Sequence, residues 1–309
     1  MTTLLLHHDA FANHVTPPGH PERVDRILAV NEALKGEAFD GLSREEAPLG
    51  TGEQASLAHP ENYVKAIEDV APDEHTVQID NDTYMSPGSL EAAYRAVGAL
   101  CRGVDAVVGG EVDNAFCALR PPGHHAEKTT AMGFCLFNSV AVAARHAQKA
   151  HGIERVAIVD FDVHHGNGTQ DIFWDDGSVL FCSTHQMPLY PGSGALGETG
   201  TMGTICNAPL NPGNDGSHFQ QAMADRVFPA IIDFSPDLIL ISAGFDAHTR
   251  DPLANLNFEA DDFQWATGKI MELAGKFCEN RVVSTLEGGY DLEGLSVSVK
   301  AHVSTLLNG

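Results

Sequence analysis

The segment DFDVHHGNGTQ, residues 160–170, joins an apolar run to a cluster of carboxylates and imidazoles. The residues RVAIV at 155–159, just before this segment, predict a buried β-strand, so the polar side chains emerge where that strand ends. Asp162 and His164 are two positions apart. On an extended backbone this spacing places both side chains on one side of the chain, facing the same point in space.

Strands rich in Val, Ile and Leu alternate with helices along the rest of the chain. Further strands are predicted at residues 4–6, 114–119, 179–183, 237–243 and 281–286. Helices are predicted from Pro21 to Gly36, over 62–69, from Ser86 to Val108, over 140–150, over 217–233 and from 292, with Ser217 and Gln220 as a capping box. This alternation predicts one α/β domain over residues 1–309, with a largely parallel sheet covered on both faces.

Polar residues recur at the carboxyl ends of several predicted strands. His124 and His125 follow one strand, Asp246 follows another, and Tyr290 follows the last one after two glycines. In an open α/β sheet, sites assemble at this edge. The sequence therefore predicts that these side chains meet the pair at positions 162 and 164.

Three of these residues have the chemistry of a catalytic metal site. Asp162, His164 and Asp246 supply two carboxylates and one imidazole, which balance a divalent cation and leave coordination positions open, as catalytic zinc requires. Each aspartate alone is explained more simply as the cap of a helix or turn. Three such residues at strand ends favour the metal site.

The tandem histidines provide proton-transfer groups beside a metal. Next to a metal-activated water, His124 and His125 would supply a base and an acid. Asp160 and Asn167 are candidates to orient them. A carboxylate partner holds a histidine as imidazolium, whereas an amide partner leaves its pKa lower. The Tyr290 phenol is suited to donate to a developing oxyanion, although a half-buried structural tyrosine is the simpler interpretation of that residue alone.

The overall composition excludes several classes of protein. The 309 residues include 18 basic and 42 acidic side chains, a formal net charge of -24, which repels nucleic acids and anionic membranes and attracts a cationic substrate. The six cysteines are scattered without a CxxC pair, as reduced core thiols are. No apolar run approaches the ~20 residues of a membrane span, and the apolar patch within MTTLLLHHDA is too short for a signal-peptide core, so we expect a soluble cytoplasmic protein. Motifs of P-loop, HExxH, dinucleotide-binding and GxSxG enzymes are absent.

Five motifs resemble, in order, those of the zinc-dependent histone deacetylase superfamily: RPPGHHAE, GFCLFN, DFDVHHGNGTQ, AGFDAH and LEGGYD. The chain is most similar to the class II branch and its bacterial histone-deacetylase-like amidohydrolases, because Asn167 stands where the class I pattern has aspartate. The resemblance implies an arginase-like α/β fold with a central eight-stranded parallel sheet. It also implies hydrolysis of an acyl-lysine-type amide by zinc and a general base.

The resemblance further assigns roles to individual residues. It implies one Zn²⁺ per subunit on Asp162, His164 and Asp246. It makes His125 the general base and acid, with His124 bonded to Asp160 as its electrostatic partner, and Tyr290 the oxyanion donor. The implied tunnel positions are Gly133, Phe134, Tyr190 and Leu253. A structural K⁺ is implied at Asp160, Asp162, His164, Phe173, Val179, Ser183 and Thr184. Arg26 resembles an arginine near the tunnel floor, although an exposed helix face explains it equally well.

Alternatives within and beyond this family stay open at this point. The related two-metal arginase pattern has extra carboxylates where this chain has Gly166 and Gly244, so one metal is expected. Acetylpolyamine deacetylases resemble this chain but carry a glutamate where Leu253 stands, while Asp82 is a candidate for the tunnel rim. A non-catalytic protein that binds acylated ligands is the alternative of another class. The expected partner is an acylated lysine or another acylated cationic amine, and the oligomeric state, including a homo-oligomer, is left open.

Overall fold

The computed structural model describes residues 1–309 and contains ten strands and ten α-helices that alternate along most of the chain. The strands are β1 (Thr3–His7), β2 (Ser43–Glu46), β3 (Val77–Gln78), β4 (Tyr84–Met85), β5 (Asn114–Cys117), β6 (Val156–Asp160), β7 (Val179–Gln186), β8 (Ile205–Leu210), β9 (Leu238–Ala243) and β10 (Val282–Leu286). The helices are α1 (Asp25–Ala33), α2 (Gly52–Ala55), α3 (Glu61–Val70), α4 (Ser89–Val108), α5 (Ser139–His151), α6 (Asn167–Phe173), α7 (Gly216–Ala222), α8 (Phe228–Phe234), α9 (Ala260–Phe277) and α10 (Leu292–Asn308).

Eight of the strands form one parallel sheet in the order β2-β1-β5-β10-β9-β6-β7-β8, and β3 pairs with β4 in a small antiparallel ribbon. Every residue of β5, β6, β7, β9 and β10 is buried, because helices cover both faces of the sheet. The last strand in the chain, β10, lies at the centre between β5 and β9. The expected eight-stranded parallel α/β sheet is confirmed.

The two edge strands, β2 and β8, were not predicted from the sequence, for physical reasons. β2 has the sequence SREE and is largely exposed, so it carries none of the apolar signal of a buried strand. β8 contains Pro209, which lacks a backbone donor and is tolerated because β8 lies at the opposite edge. Both strands are recognisable only from their pairing with a neighbour.

The first predicted helix is shorter than expected. It begins at Asp25 rather than Pro21 and ends at Ala33, before Gly36. The Glu22 side chain turns into the interior, where its carboxylate accepts hydrogen bonds from Arg26 and Arg120. This buried ion cluster sets the path of the chain ahead of the helix.

The helix predicted over residues 217–233 is also capped differently from the prediction. Asp215 caps α7 by accepting hydrogen bonds from the backbone N–H groups of Ser217 and His218, so the Ser217 capping box was wrong. A π-helical segment, Met223–Val227, joins α7 to α8.

The long α4 ends at Val108 before two glycines, as predicted. No helix of the protein has the length and apolar character needed to cross a bilayer.

His302 on α10 provides a pH-dependent contribution to stability. Its buried imidazole hydrogen-bonds to the hydroxyls of Thr267 and Ser284, and burial lowers the pKa of His302 from 6.5 to about 3. The unfolded chain therefore binds a proton at a higher pH than the folded chain does, so this contribution is complete above pH 6.5 and is lost as the pH falls towards 3. We expect the unfolding free energy of His302→Gln to fall less steeply than that of the wild type as the pH is lowered from 6.5.

Urea denaturation at a series of pH values measures this difference in slope. His75→Gln is the matched control, because the His75 side chain is 91% exposed and its removal should leave the slope unchanged. Equal slopes for wild type and His302→Gln would contradict the prediction.

Candidate active site

Asp162, His164 and Asp246 form a buried cluster, called the Asp/His cluster below, at the carboxyl ends of the neighbouring strands β6 and β9. Their ligand atoms all lie within 4.8 Å of one another. His164 Nδ1 is 3.2 Å from Asp162 Oδ1 and 3.1 Å from Asp246 Oδ2. The backbone N–H of Val163 donates to Asp246 and that of Gly288 donates to Asp162, which fixes both carboxylates.

This cluster has the electrostatic character of a cation site. Although burial lowers the pKa of His164, the hydrogen bonds and charges of Asp162 and Asp246 raise it to about 10, so positive charge is strongly favoured at this point. One imidazole nitrogen with two carboxylates is a donor set that suits zinc and related divalent ions. The three residues therefore fit a divalent metal.

Glycines leave the space that the carboxylates occupy. A Cβ atom at Gly244 would collide with the Asp162 carboxylate, and one at Gly288 would collide with that of Asp246. A Cβ at Gly166 would likewise collide with the Asp160 carboxylate. These backbones approach the carboxylates too closely for any side chain.

The tandem histidines lie in the loop after β5 and have different partners. His124 Nδ1 is 2.9 Å from Asp160 Oδ2, whereas His125 Nδ1 is 2.8 Å from the amide oxygen of Asn167. The two rings are 4.0 Å apart, and the His125 ring lies 6.0 Å from that of His164. The pair thus adjoins the Asp/His cluster.

The partners split the pKa values of the two histidines. Burial alone would lower the pKa of His124, but the carboxylates of Asp160, Asp162 and Glu287 raise it well above its ordinary value. Burial, together with the charges of His124 and His164, holds the pKa of His125 well below its ordinary value. The surroundings therefore favour an imidazolium at His124 and a neutral imidazole at His125.

Two acidic residues that the sequence interpretation missed support this pair. Glu127 accepts a hydrogen bond of 2.9 Å from the Asn167 amide NH₂, which turns the amide oxygen towards His125. Glu287 accepts from the backbone N–H groups of Gly123 and His124, at 2.7 and 3.2 Å, and so holds their loop. Glu127 belongs to the motif RPPGHHAE, and Glu287 belongs to LEGGYD. For Glu287, the signal available in the sequence was an acidic side chain at the end of an apolar strand.

Tyr290 is buried beside the cluster, and Arg26 lies behind it. The Arg26 guanidinium is 4.8 Å from the centre of the Tyr290 ring and donates to the carbonyl oxygens of Gly289 and Glu287. Arg26 is fully buried, so its interpretation as part of an exposed helix face was wrong. Burial raises the pKa of the Tyr290 phenol well above its ordinary value, despite the opposing charge of Arg26, and the phenol stays protonated.

Asp251 is a further residue that the sequence interpretation missed. Its carboxylate accepts hydrogen bonds from the backbone N–H groups of Tyr290, at 2.7 Å, and of Leu253, at 3.0 Å. It therefore joins the loop after β10 to the loop that carries Leu253. Burial, together with the charge of Asp246, raises the pKa of Asp251 to about 7.

A cavity of about 250 Å³ leads to these groups. Its lining residues are Asp82, His125, Gly133, Phe134, His164, Leu189, Tyr190, Leu253 and Tyr290. All four predicted tunnel residues are therefore present, Asp82 is among the lining residues, and Leu189 is an addition. A more open groove of about 620 Å³, formed mainly by the loop at residues 15–25, adjoins this cavity at Leu253 and Tyr290.

His165 holds the loop that carries Tyr190 in place by a hydrogen bond. Its ring nitrogens lie 2.8 Å from Ser193 Oγ and 3.1 Å from Gln170 Oε1. Its ring also packs 4.7 Å from that of His185. His165 thus has a structural task, although its neighbour His164 belongs to the Asp/His cluster.

The residues expected to bind monovalent cations lie in two places. Ser183 pairs with Asp160 across β7 and β6, at the edge that carries the cluster, and Thr184 follows it. Val179 pairs with Val156 at the other end of the same strands, and Phe173 ends the helix α6 that precedes β7. Ser183 lies four residues after Val179 along this extended strand, a distance of ~13 Å.

Comparison with known proteins places the chain in a family. Residues 20–306 match the family described as the histone deacetylase domain. Over 91% of its length the chain is 38% identical to a histone deacetylase-like amidohydrolase of Pseudomonas aeruginosa, of which 73% is covered. It is 40% identical to histone deacetylase 10, chloroplastic, of rice, covering 91% of this chain and 68% of that protein.

A solved structure agrees with the sequence matches. The HDA15 HD domain superposes on 99% of this chain, and 88% of that domain is covered, with a TM-score of 0.94 and 35% sequence identity. The chain therefore belongs to the histone deacetylase family, and it is a hydrolase of the deacetylase and amidohydrolase type.

Proposed function

We propose that the protein is a zinc-dependent deacylase that hydrolyses the amide of acetyl- or acyl-lysine-type substrates. The observation that carries this proposal is the 250 Å³ cavity, because His125, His164 and Tyr290 all line it. A narrow cavity lined by aromatic rings, with a neutral base, a phenol and a cation site together, fits a linear acylated amine that enters end first.

Asp162, His164 and Asp246 would hold the Zn²⁺. When bound, the metal acts as a Lewis acid that polarises an amide carbonyl and acidifies a water molecule.

We also propose a structural K⁺ near Asp160 and Ser183. The neighbouring Thr184 hydroxyl supports it, because this hydroxyl is buried and has no hydrogen-bond partner in the protein.

His125 would act as the general base and then as the general acid. The Asn167 amide oxygen accepts from His125 Nδ1, so the Nδ1 nitrogen carries the proton and Nε2 is free. His125 Nε2 would take a proton from the attacking water and return it to the leaving amine, whose departure requires protonation.

The other two groups would stabilise charge. The His124 imidazolium beside Asp160 places a fixed positive charge 4.0 Å from the His125 ring, between ring centres, which keeps the resting base neutral. The Tyr290 phenol would donate a hydrogen bond to the oxygen on which negative charge develops during attack. Arg26 holds the loop of Tyr290 through two backbone carbonyls and thereby positions the phenol.

Four features bear on the substrate class. Leu253 gives the cavity an apolar wall in place of a carboxylate that would select a second amine, and the adjoining 620 Å³ groove offers room for residues that flank an acyl-lysine. Asp82 on the cavity and the net charge of -24 would attract a cationic chain. Leu253 and the groove support an acyl-lysine peptide over a free acetylpolyamine, whereas Asp82 and the net charge would attract either cationic chain.

A fluorogenic acetyl-lysine peptide, offered to zinc-loaded enzyme with and without a chelator, tests this function. We expect turnover that the chelator abolishes and that Zn²⁺ restores, because the base has no activated water without the metal. Competition with acetylspermidine separates the two substrate classes, and a panel of longer acyl chains defines the preferred group. Tight binding of the peptide with no turnover would instead identify a non-catalytic acyl-ligand binder.

A further inference from the structure

A second cluster of metal-binding side chains lies away from the active site, on helices α4 and α5. Asp105 is on α4, and His146 and His151 are on α5. The Nε2 atoms of both imidazoles lie 2.7 Å from Asp105 Oδ1, and the ligand atoms of the three residues lie within 4.8 Å of one another. The two rings are 5.8 Å apart, nearly perpendicular.

The helix ends favour positive charge at this cluster. Asp105 lies in the last turn of α4, which ends at Val108, and His151 is the last residue of α5. The carboxyl end of a helix carries the negative end of its dipole, and here two such ends meet at one carboxylate. Partial burial raises the pKa of Asp105, but the hydrogen bonds from His151 and His146 outweigh it and lower the pKa overall.

The cluster is reachable and separate from the proposed active site. The side chains of Asp105, His146 and His151 are 42%, 14% and 24% exposed. Because α4 and α5 lead into the parallel strands β5 and β6, their carboxyl ends lie at the amino edge of the sheet, opposite the edge that carries His125 and His164. His146 also lines an open cavity of about 360 Å³ beside α2, which gives an ion a route from solvent.

We propose that Asp105, His146 and His151 form a second divalent metal site that joins α4 to α5, for an ion that prefers imidazole, such as Zn²⁺, Ni²⁺ or Cu²⁺. Two imidazole nitrogens and one carboxylate oxygen are donors of this class, whereas Mg²⁺ and Ca²⁺ prefer sites built of oxygen. Three protein ligands leave room for water, as partial exposure of the cluster requires. Lys149 lines the same cavity, but it is exposed and its charge is screened by solvent.

The number of bound ions tests the site without reference to catalysis. Metal-free protein is dialysed against Zn²⁺, and the bound metal is measured by elemental analysis. We expect the His146→Gln/His151→Gln double variant to bind one equivalent less than the wild type, while its deacylase rate stays the same. Asp105→Asn should weaken Zn²⁺ binding at the same site without removing an imidazole.

His218→Gln is the matched control, because the His218 ring also lies 2.7 Å from a surface carboxylate, that of Asp215, but has no second imidazole beside it. This variant should bind as much Zn²⁺ as the wild type. Electron paramagnetic resonance of one equivalent of Cu²⁺ bound to an Asp162→Asn variant, in which the Asp/His cluster has lost one of its two carboxylates, should report two nitrogen ligands. Equal Zn²⁺ stoichiometry in the wild type and the folded double variant, or the absence of a two-nitrogen Cu²⁺ signal, would overturn the proposal. Circular dichroism establishes that each variant is folded.

Discussion

Replacing His125 by alanine is expected to lower kcat by about 10²- to 10⁴-fold, the range associated with loss of a positioned general base. The low pKa of His125 keeps its imidazole neutral, and Asn167 orients it so that the free nitrogen can receive a proton. The other imidazole that lines the cavity belongs to His164. It is engaged by the carboxylates of Asp162 and Asp246, so it cannot replace His125 as the base.

Steady-state deacylation and zinc stoichiometry measure the effect of His125→Ala. Zinc binding should persist, since His125 is outside the Asp/His cluster. His75→Ala is a control for loss of an imidazole away from the cavity, because the His75 side chain is 91% exposed and lines neither the cavity nor the adjoining groove. If His125→Ala retained the wild-type kcat, His125 would not be the base.

Replacing Tyr290 by phenylalanine is expected to lower kcat by about 10²- to 10³-fold, the scale of removing one oxyanion donor. The change removes only the hydroxyl and preserves the ring that packs on Arg26. An interaction made only in the transition state lowers kcat and kcat/KM by the same factor, so KM should change little.

Tyr190→Phe is the matched control for this experiment, because it removes the same atom from another aromatic residue of the same cavity. Tyr190 is 38% exposed, so its hydroxyl can be solvated and its loss should change kcat little. An equal loss of rate in both variants would point to a general disturbance of the cavity, and an unchanged rate in Tyr290→Phe would remove the phenol from the proposed mechanism.

The buried strands were predictable from sequence because they bury both faces and consist almost wholly of apolar residues. The edge strands β2 and β8 were not, since an edge strand owes its structure to a neighbour's hydrogen bonds rather than to its own hydrophobicity. The start of α1 was misplaced for a similar reason. Glu22 looks like an ordinary residue of a first helical turn, and only the folded protein brings Arg120 to it.

The residues of the candidate site also fall into those that the sequence could predict and those that it could not. Histidines, aspartates and a tyrosine at strand ends were predictable from residue type and position. Glu127 and Asp251 were not, because an acidic residue in a loop is usually solvated, and the only signal for Glu287 was its position at the end of a strand. Their tasks depend on which backbone N–H or amide groups face them, and distant parts of the chain supply those groups.

The central position of β10 has a consequence for how the protein is made. Before this strand is synthesised, the nascent chain can pair β2, β1 and β5 in one half-sheet and β9, β6, β7 and β8 in another, each with an open edge. His124 and His125 belong to the first half, and the three residues of the Asp/His cluster belong to the second. Only insertion of β10 joins them and brings Tyr290 to the site, so the ribosome must release the chain beyond residue 290 before the site exists. Open edges of buried strands favour pairing with other chains, and we expect this interval to be when the protein most needs chaperones.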